Sequence, residues 1–218
     1  MLAHYIVLCY NQDNKRKQKF FFYRKGIKYM HGKLFILSGP SGVGKGTVRE
    51  KILENPNINL VYSISMTTRS PREGEVDGVH YYFVSNEYFE KAIENNELLE
   101  YAKFVGNYYG TPKKMIEKQL SEGKNVLLEI EVQGAKQVMK KCPEAVTIFM
   151  VPPSFEELEK RIRGRRSEPE DIVQQRLSKA KSEMALRKNY KYVVVNDTVE
   201  NASQAIIDII KNMNDEQS

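Results

Sequence analysis

Gly39, Gly42, Gly44 and Lys45 crowd the short run from Ser38 to Thr47, and glycines at that density leave backbone N–H groups free to close around an anion. Lys45 adds a mobile point charge beside them. Gly39 and Gly44-Lys45 stand at P-loop spacing, and Pro40, Ser41, Val43, Gly46 and Thr47 complete the stretch. The chemistry this points to is cradling the outer phosphates of a nucleoside triphosphate. The competing reading, a tight turn with a solvated lysine, explains neither the glycine spacing nor the apolar run before it. One departure from the pattern affects the metal. Gly46 follows the lysine where Ser or Thr ordinarily holds Mg²⁺, and Thr47 comes one position later. The ion is therefore expected to be held mostly through water and substrate phosphates, with Thr47 and Glu129 as its protein contacts.

Further along, Arg69 and Arg72 lie three apart among hydroxyl residues, with Pro71, Gly74 and Gly78 imposing a loop. Arginine forks can clamp one phosphate group, and Tyr81 and Tyr109 offer hydroxyls to the same oxygens. Singly these are ordinary solvated or packing residues; beside a P-loop they suggest a site for a second phosphorylated substrate. Glu129 and Glu131 are two apart at the end of an apolar run, which on a strand aims both the same way. Arg161, Arg163, Arg165 and Arg166 crowd the end of a predicted helix, and Arg176 falls on the next one.

These residues need a scaffold, and the chain spells out an alternating one. Leu34–Leu37 is four apolar residues in a row, a strand buried on both faces, and Val48, Ile52 and Leu53 beyond the glycines recur at helical spacing. Residues 60–65 read as a strand, 66–78 as a loop and 81–84 as a strand. Ser85 then caps a helix carrying Phe89, Ala92 and Ile93. Residues 98–104 and 108–109 form a hairpin around Gly106-Asn107. A helix near 112–122, a strand over 126–130, a helix over 133–142 and a strand over 146–151 resume the alternation. Ser154 and Glu157 make a capping box for the next helix, and Val173, Leu177, Ala180 and Met184 mark a long amphipathic one. A strand over 192–195 precedes the closing helix, for which Asp197 with Glu200 reads as the N-cap. This is an α/β fold with a parallel sheet wrapped by helices, interrupted at 61–111 by a mainly antiparallel insertion.

Composition narrows the function classes. At 218 residues, with 41% hydrophobic and 28% charged residues, the chain suits one α/β domain with an inserted subdomain. Cys9 and Cys142 lie far apart without zinc or CxxC spacing, which argues against a disulfide framework and for a reducing compartment. The net charge of +6 resides entirely in residues 1–30, where seven Lys and Arg face Asp13 alone. A neutral domain from 31 to 218 gives a nucleic-acid-binding reading little support, and salt-dependent binding lost with residues 1–29 would be its signature. Tyr5–Tyr10 is too short to span a membrane, and the basic residues follow it rather than precede it, unlike a signal peptide. The arm is expected to be dispensable, and Met30 stands as an alternative start before the first core strand.

With these residues in view, the chain resembles the guanylate kinases of bacterial type. The likeness rests on Thr67-Thr68-Arg69, Arg72, Glu75, Gly78, Tyr81 and Phe83, with Gly39-Pro40-Ser41-Gly42, Gly106–Gly110, Ile130–Gly134 and Val195–Asp197, and runs from about Lys33 to the closing helix. The resemblance implies a P-loop kinase core (31–60, 112–162 and 190–218), a GMP-binding insertion (61–111) and a helical lid (about 163–189). It implies Mg²⁺-dependent transfer of the ATP γ-phosphoryl group to GMP or dGMP, in the cytoplasm, by a monomer or small homo-oligomer that recycles purine nucleotides. Carried over, it assigns Arg69, Arg72, Tyr81 and Tyr109 to the GMP phosphate, and Ser65, Glu100, Thr111 and Glu131 to the guanine. Lys45, Arg161, Arg165 and Arg176 become catalytic, and Asn196 joins the P-loop residues and Arg165 at ATP, while for Asp197 the helix cap is preferred. Arg163 and Arg166 are expected to be solvated. A rival within this fold is a protein-interaction module, but such modules lack a working P-loop and lid arginines.

Overall fold

A computed structural model describes residues 32–104, 106–164 and 169–215. The basic arm, Arg165 and Arg166 lie outside the described residues. The chain divides into two compact units, one containing Phe35–Val61, Leu127–Val132 and the segment from Val146 onward, the other Tyr62–Val126 and Gln133–Ala145.

The first unit is built on a five-stranded sheet. Its strands are β1 (Leu34–Ser38), β2 (Leu60–Tyr62), β7 (Asn125–Glu129), β8 (Val146–Val151) and β9 (Tyr192–Val195), in the order β2-β7-β1-β8-β9. β1 pairs with β8 and β8 with β9 in parallel. The apolar runs predicted as doubly buried are so, since every residue of β1 and of β8 is buried. Helices α1 (Lys45–Leu53), α5 (Phe155–Arg163), α6 (Glu170–Met184) and α7 (Val199–Asp215) supply the rest of one core, with Val48, Ile52, Leu158, Val173, Leu177, Ile206 and Ile210 packed on Phe35, Leu37 and Ile148. Val173, Leu177 and Ala180 of the α6 stripe pack in this core.

The second unit carries a four-stranded sheet of β3 (Met66–Thr67), β4 (Tyr82–Phe83), β5 (Leu98–Phe104) and β6 (Asn107–Pro112), ordered β4-β3-β6-β5. β3–β6 and β5–β6 are antiparallel and β3–β4 is parallel. Helix α2 (Asn86–Glu94), capped by Ser85 on the Tyr88 N–H, drops Phe89 and Ala92 onto this sheet. Phe89 stacks on Tyr108 with ring centroids 5.1 Å apart, and truncating it to alanine is expected to cost ~3–5 kcal/mol. The expected strand over 60–65 ends at Tyr62. The chain pairs again at Met66, where it has left the first sheet for the second.

This unit is wider than residues 61–111. Helix α3 (Lys113–Ser121) and most of α4 (Val132–Lys141), expected with the core, group with the second sheet. The reason is polar as well as apolar: Gln137 exchanges hydrogen bonds with the Tyr101 backbone, and Lys141 donates to the Leu99 carbonyl.

Candidate functional site

The phosphate loop begins where β1 ends. Gly42 (φ 85°) and Gly44 (φ 94°) hold left-handed conformations that residues with a Cβ rarely adopt. At Gly44 a methyl group would also stand 2.7 Å from Asn196 Nδ2. Gly44 is the N-cap of α1, no side chain caps that terminus, and no acidic residue occupies its first turn. Helices α2 and α5, by contrast, are closed by Ser85 and Ser154. An uncapped N-terminus behind a glycine loop offers free N–H donors and the positive end of the helix dipole to an anion.

Of the charged side chains expected here, Lys45, Arg161 and Arg176 gather around that loop. Lys45 Nζ donates to the carbonyls of Gly39 (2.8 Å) and Pro40 (3.3 Å), so the ammonium is folded back along its own loop. Arg161, half-buried, bonds the carbonyls of Val43 (3.4 Å) and Asn196 (3.2 Å) and is steadied by Glu157 (3.3 Å). Arg176 Nη2 reaches Ser41 Oγ at 3.2 Å. Thr47 is exposed on the first turn of α1. Asn196, expected at ATP, is buried, and its amide donates to the Val43 carbonyl at 2.7 Å, which pins the loop from behind.

Glu129 ends β7 and pairs with Arg49 of α1 at 2.8 Å. Its other oxygen faces Gly46, 3.9 Å from where a Cβ would stand. Glu131 lies beyond the strand, so the alternation argument that aimed it with Glu129 does not apply. It pairs instead with Lys179 of α6 at 2.8 Å. Arg163, expected to be solvated, forks onto Glu170 at 2.7 and 3.0 Å and also holds Glu159. The cap of α7 is Thr198, whose Oγ1 accepts from the Asn201 N–H. Asp197 sits one residue earlier and accepts from the Thr198 N–H and the Asn201 side chain.

In the second unit Arg69, Tyr81 and Tyr109 come together. The guanidinium lies 5.6 Å from the Tyr81 ring centre, and the two tyrosine rings meet edge-on at 6.2 Å. Glu75 organises this corner: Oε1 accepts from Arg69 Nη2 at 2.8 Å and Oε2 from the Arg72 backbone N–H at 2.7 Å. The Arg69 bond, followed by the Arg72 N–H, draws the Glu75 carboxyl down to about 2. The Arg72 side chain is exposed.

Glu100 is the unusual group. It stands on β5 opposite Thr111 of β6, only 4% exposed, and accepts a 2.6 Å hydrogen bond from Thr111 Oγ1. Burial pushes its carboxyl up to about 7, opposed by the Thr111 bond and the charge of Lys141. Ser65, also expected at the base, lies just before β3, and its carbonyl accepts from the Tyr82 N–H.

Sequence reasoning passed over Arg49, Lys179 and Glu183. Glu183 is buried on α6, four residues beyond Lys179, to which its Oε1 lies 3.6 Å away, while its Oε2 has no hydrogen-bond partner among the described residues. Burial raises its carboxyl above the usual range. The apolar stripe of α6 was visible, but a glutamate inside that stripe reads as surface until the helix is packed.

With this geometry in hand, similarity to known proteins is informative. The sequence model of the guanylate kinase family matches residues 31–213. A guanylate kinase of Mycoplasma mycoides is 58% identical over 179 residues, covering 82% of this chain and 60% of that protein. The chain thus spans less than two thirds of that relative's length. A guanylate kinase of Bacillus cereus is 57% identical over 184 residues, 84% of this chain and 90% of its own. The crystal structure of guanylate kinase from Anaplasma phagocytophilum matches with a TM-score of 0.70 and 36% identity, covering 85% of this chain and 87% of that one.

Proposed function

The chain belongs to the guanylate kinase family, and from that membership we propose that it transfers the γ-phosphoryl group of ATP to GMP or dGMP. The observation that carries the reading is Glu100, a buried carboxylate in the same unit as the Arg69–Tyr81–Tyr109 corner. The Watson–Crick edge of guanine presents N1–H and the N2 amino group side by side, and one carboxylate accepts from both. Adenine offers an acceptor at N1 and no amino group at C2, so a buried carboxylate facing it stays unpaired, which rejects strongly.

In this reading Arg69, Arg72, Tyr81 and Tyr109 hold the GMP phosphate, with Glu75 fixing the Arg69 fork before substrate arrives. Ser65 and Thr111 join Glu100 at the base, and the family pattern assigns Glu131 to guanine as well. Residues 39–47 bind the ATP phosphates by backbone N–H groups and Lys45. Arg161, Arg165 and Arg176 neutralise the charge spread over the transferring group.

Mg²⁺ fits this site as a companion of ATP. Among the described residues no three His, Cys, Asp or Glu stand together as a cage, whereas Glu129 keeps an oxygen toward Gly46 at the loop. Glu129 and Thr47 would hold the ion through water, the triphosphate supplying the direct ligands. When bound, the ion neutralises charge on the phosphate oxygens. No helix among the described residues is long and apolar enough to cross a membrane, and we place the activity in cytoplasmic purine recycling.

A coupled ADP-release assay across GMP, dGMP, AMP, CMP and UMP tests the proposal. GMP and dGMP should be turned over, and AMP should be at least ~100-fold poorer in kcat/KM. Comparable turnover of AMP would overturn it.

A further inference from the structure

Gly134 lies inside α4, and its backbone has no need of glycine: it is absent from the left-handed residues, and a helix interior favours alanine. Space, not conformation, distinguishes the position. A methyl group built on Gly134 would overlap Glu100 Oε2 and stand 2.9 Å from Cδ and 3.4 Å from Cγ. The three nearest atoms all belong to this one side chain, so the missing Cβ is a slot that the carboxylate fills. Both residues belong to the same unit, where Gln137 and Lys141 tie α4 to β5.

From this contact we infer that Gly134 is a specificity-determining residue, whose lack of a side chain lets Glu100 adopt the position from which it reads the base. The inference rests on the assignment of Glu100 to guanine. Thr111 fixes one carboxylate oxygen by a hydrogen bond and Gly134 admits the other by leaving room. Any side chain at 134 meets a flexible side-chain end first, so the carboxylate is displaced while the helix remains.

The test is Gly134→Ala, read by kcat/KM for GMP and AMP and by Tm. Displacing a recognition group by about 1 Å is enough to cost ~100-fold, so GMP should lose roughly that factor while AMP stays within about threefold. The Tm should hold or rise, because alanine is the better helix former. Placed in a Glu100→Ala background, the same change should cost GMP nothing further. Three results overturn the inference: equal losses for GMP and AMP, a GMP loss undiminished in the Glu100→Ala background, or no GMP loss at all. If Gly134→Ala alone fails to fold, the double variant decides. Its folding supports a steric slot for Glu100, and its failure to fold overturns it in favour of a backbone need for glycine. A Glu100→Ala enzyme that keeps full preference for GMP over AMP overturns the base assignment itself, and the inference with it. Loss of that preference in Glu100→Ala but not in Gly134→Ala removes only the role of the glycine.

Discussion

In the proposed function the two units meet phosphate by opposite means. Around Gly39–Lys45 the recognising groups are main-chain N–H donors at an uncapped helix start, and side chains such as Asn196 serve to hold the loop's shape. In the insertion the recognising groups are side chains, and two of them are held by other side chains: Arg69 by Glu75, Glu100 by Thr111. A backbone site is generic for polyphosphate and tolerant of what the phosphate carries. A site made of side chains, one of them a desolvated acid, can tell one base from another. In the proposed function a division of labour follows from that difference, with affinity for ATP on one side and choice of acceptor on the other.

The largest effect should come from removing the one side chain on which the backbone-built half depends. Lys45→Met should lower kcat by about 10³-fold, the scale for losing one charged stabiliser of a developing negative charge. GMP affinity, measured by calorimetry, should stay within about twofold, and near-normal turnover would break the P-loop assignment.

That contrast also explains what could be read from the chain. The phosphate loop was legible because a main-chain site needs glycines at fixed offsets, and β1 and β8 because strands buried on both faces need unbroken apolar runs. Glu100 was legible only through family resemblance, since nothing local distinguishes a buried glutamate from one closing a surface strand. Strand alternation could not aim Glu131, because β7 ends at Glu129, and Asp197 missed the cap by a single residue of register. Gly134 looked like any glycine until a carboxylate from β5 was found in its place. Such partners are set by tertiary packing at separations of dozens of residues, where periodicity carries no signal.

Sharpening the comparison from the other side, Glu100→Gln should lower kcat/KM for GMP by roughly 30- to 1,000-fold, equivalent to ~2–4 kcal/mol for a lost charge-assisted bond and a donor facing a donor. KM for ATP should move little. AMP, whose N1 accepts a hydrogen bond, should suffer least or gain. An equal proportional drop for both nucleotides would mean that Glu100 does not read the base.

A smaller effect separates the halves by pH. The Glu100 carboxyl is raised to about 7 by burial, and only its ionised form accepts from both guanine donors. KM for GMP should therefore rise ~10-fold per unit as pH falls below 7, approach a floor above 8, and lose this dependence in Glu100→Gln. For stability of the unliganded fold the sign is opposite. A raised carboxyl favours folding below its unfolded value near 4.5, and that contribution is lost as pH rises through 7. Glu75, drawn down to about 2 by Arg69, stabilises the fold above 4.5 and loses this as pH falls toward 2. KM for GMP flat between pH 6 and 8 in the wild type would sink the first of these assignments.

The smallest expected effect lies outside both halves. Residues 1–30 carry the entire +6 charge, yet the family match begins at residue 31, and Gly32 and Lys33 are already bonded to Leu120 and Asn125. If substrate capture depended on long-range attraction by that charge, removing residues 1–29 would raise KM for both anionic nucleotides, and the difference would fade with salt because screening shortens its reach to about 10 Å at 0.1 M. The two proposed sites carry cations of their own, Lys45, Arg161 and Arg176 in one and Arg69 in the other, and local contacts of that kind dominate over a distant field. Truncation should accordingly leave kcat, both KM values and Tm within about twofold or a degree or two, within the scatter of surface changes. A salt-sensitive rise in either KM would assign the arm to substrate capture, and a fall in Tm of more than about 5 °C would mean that it packs on the domain.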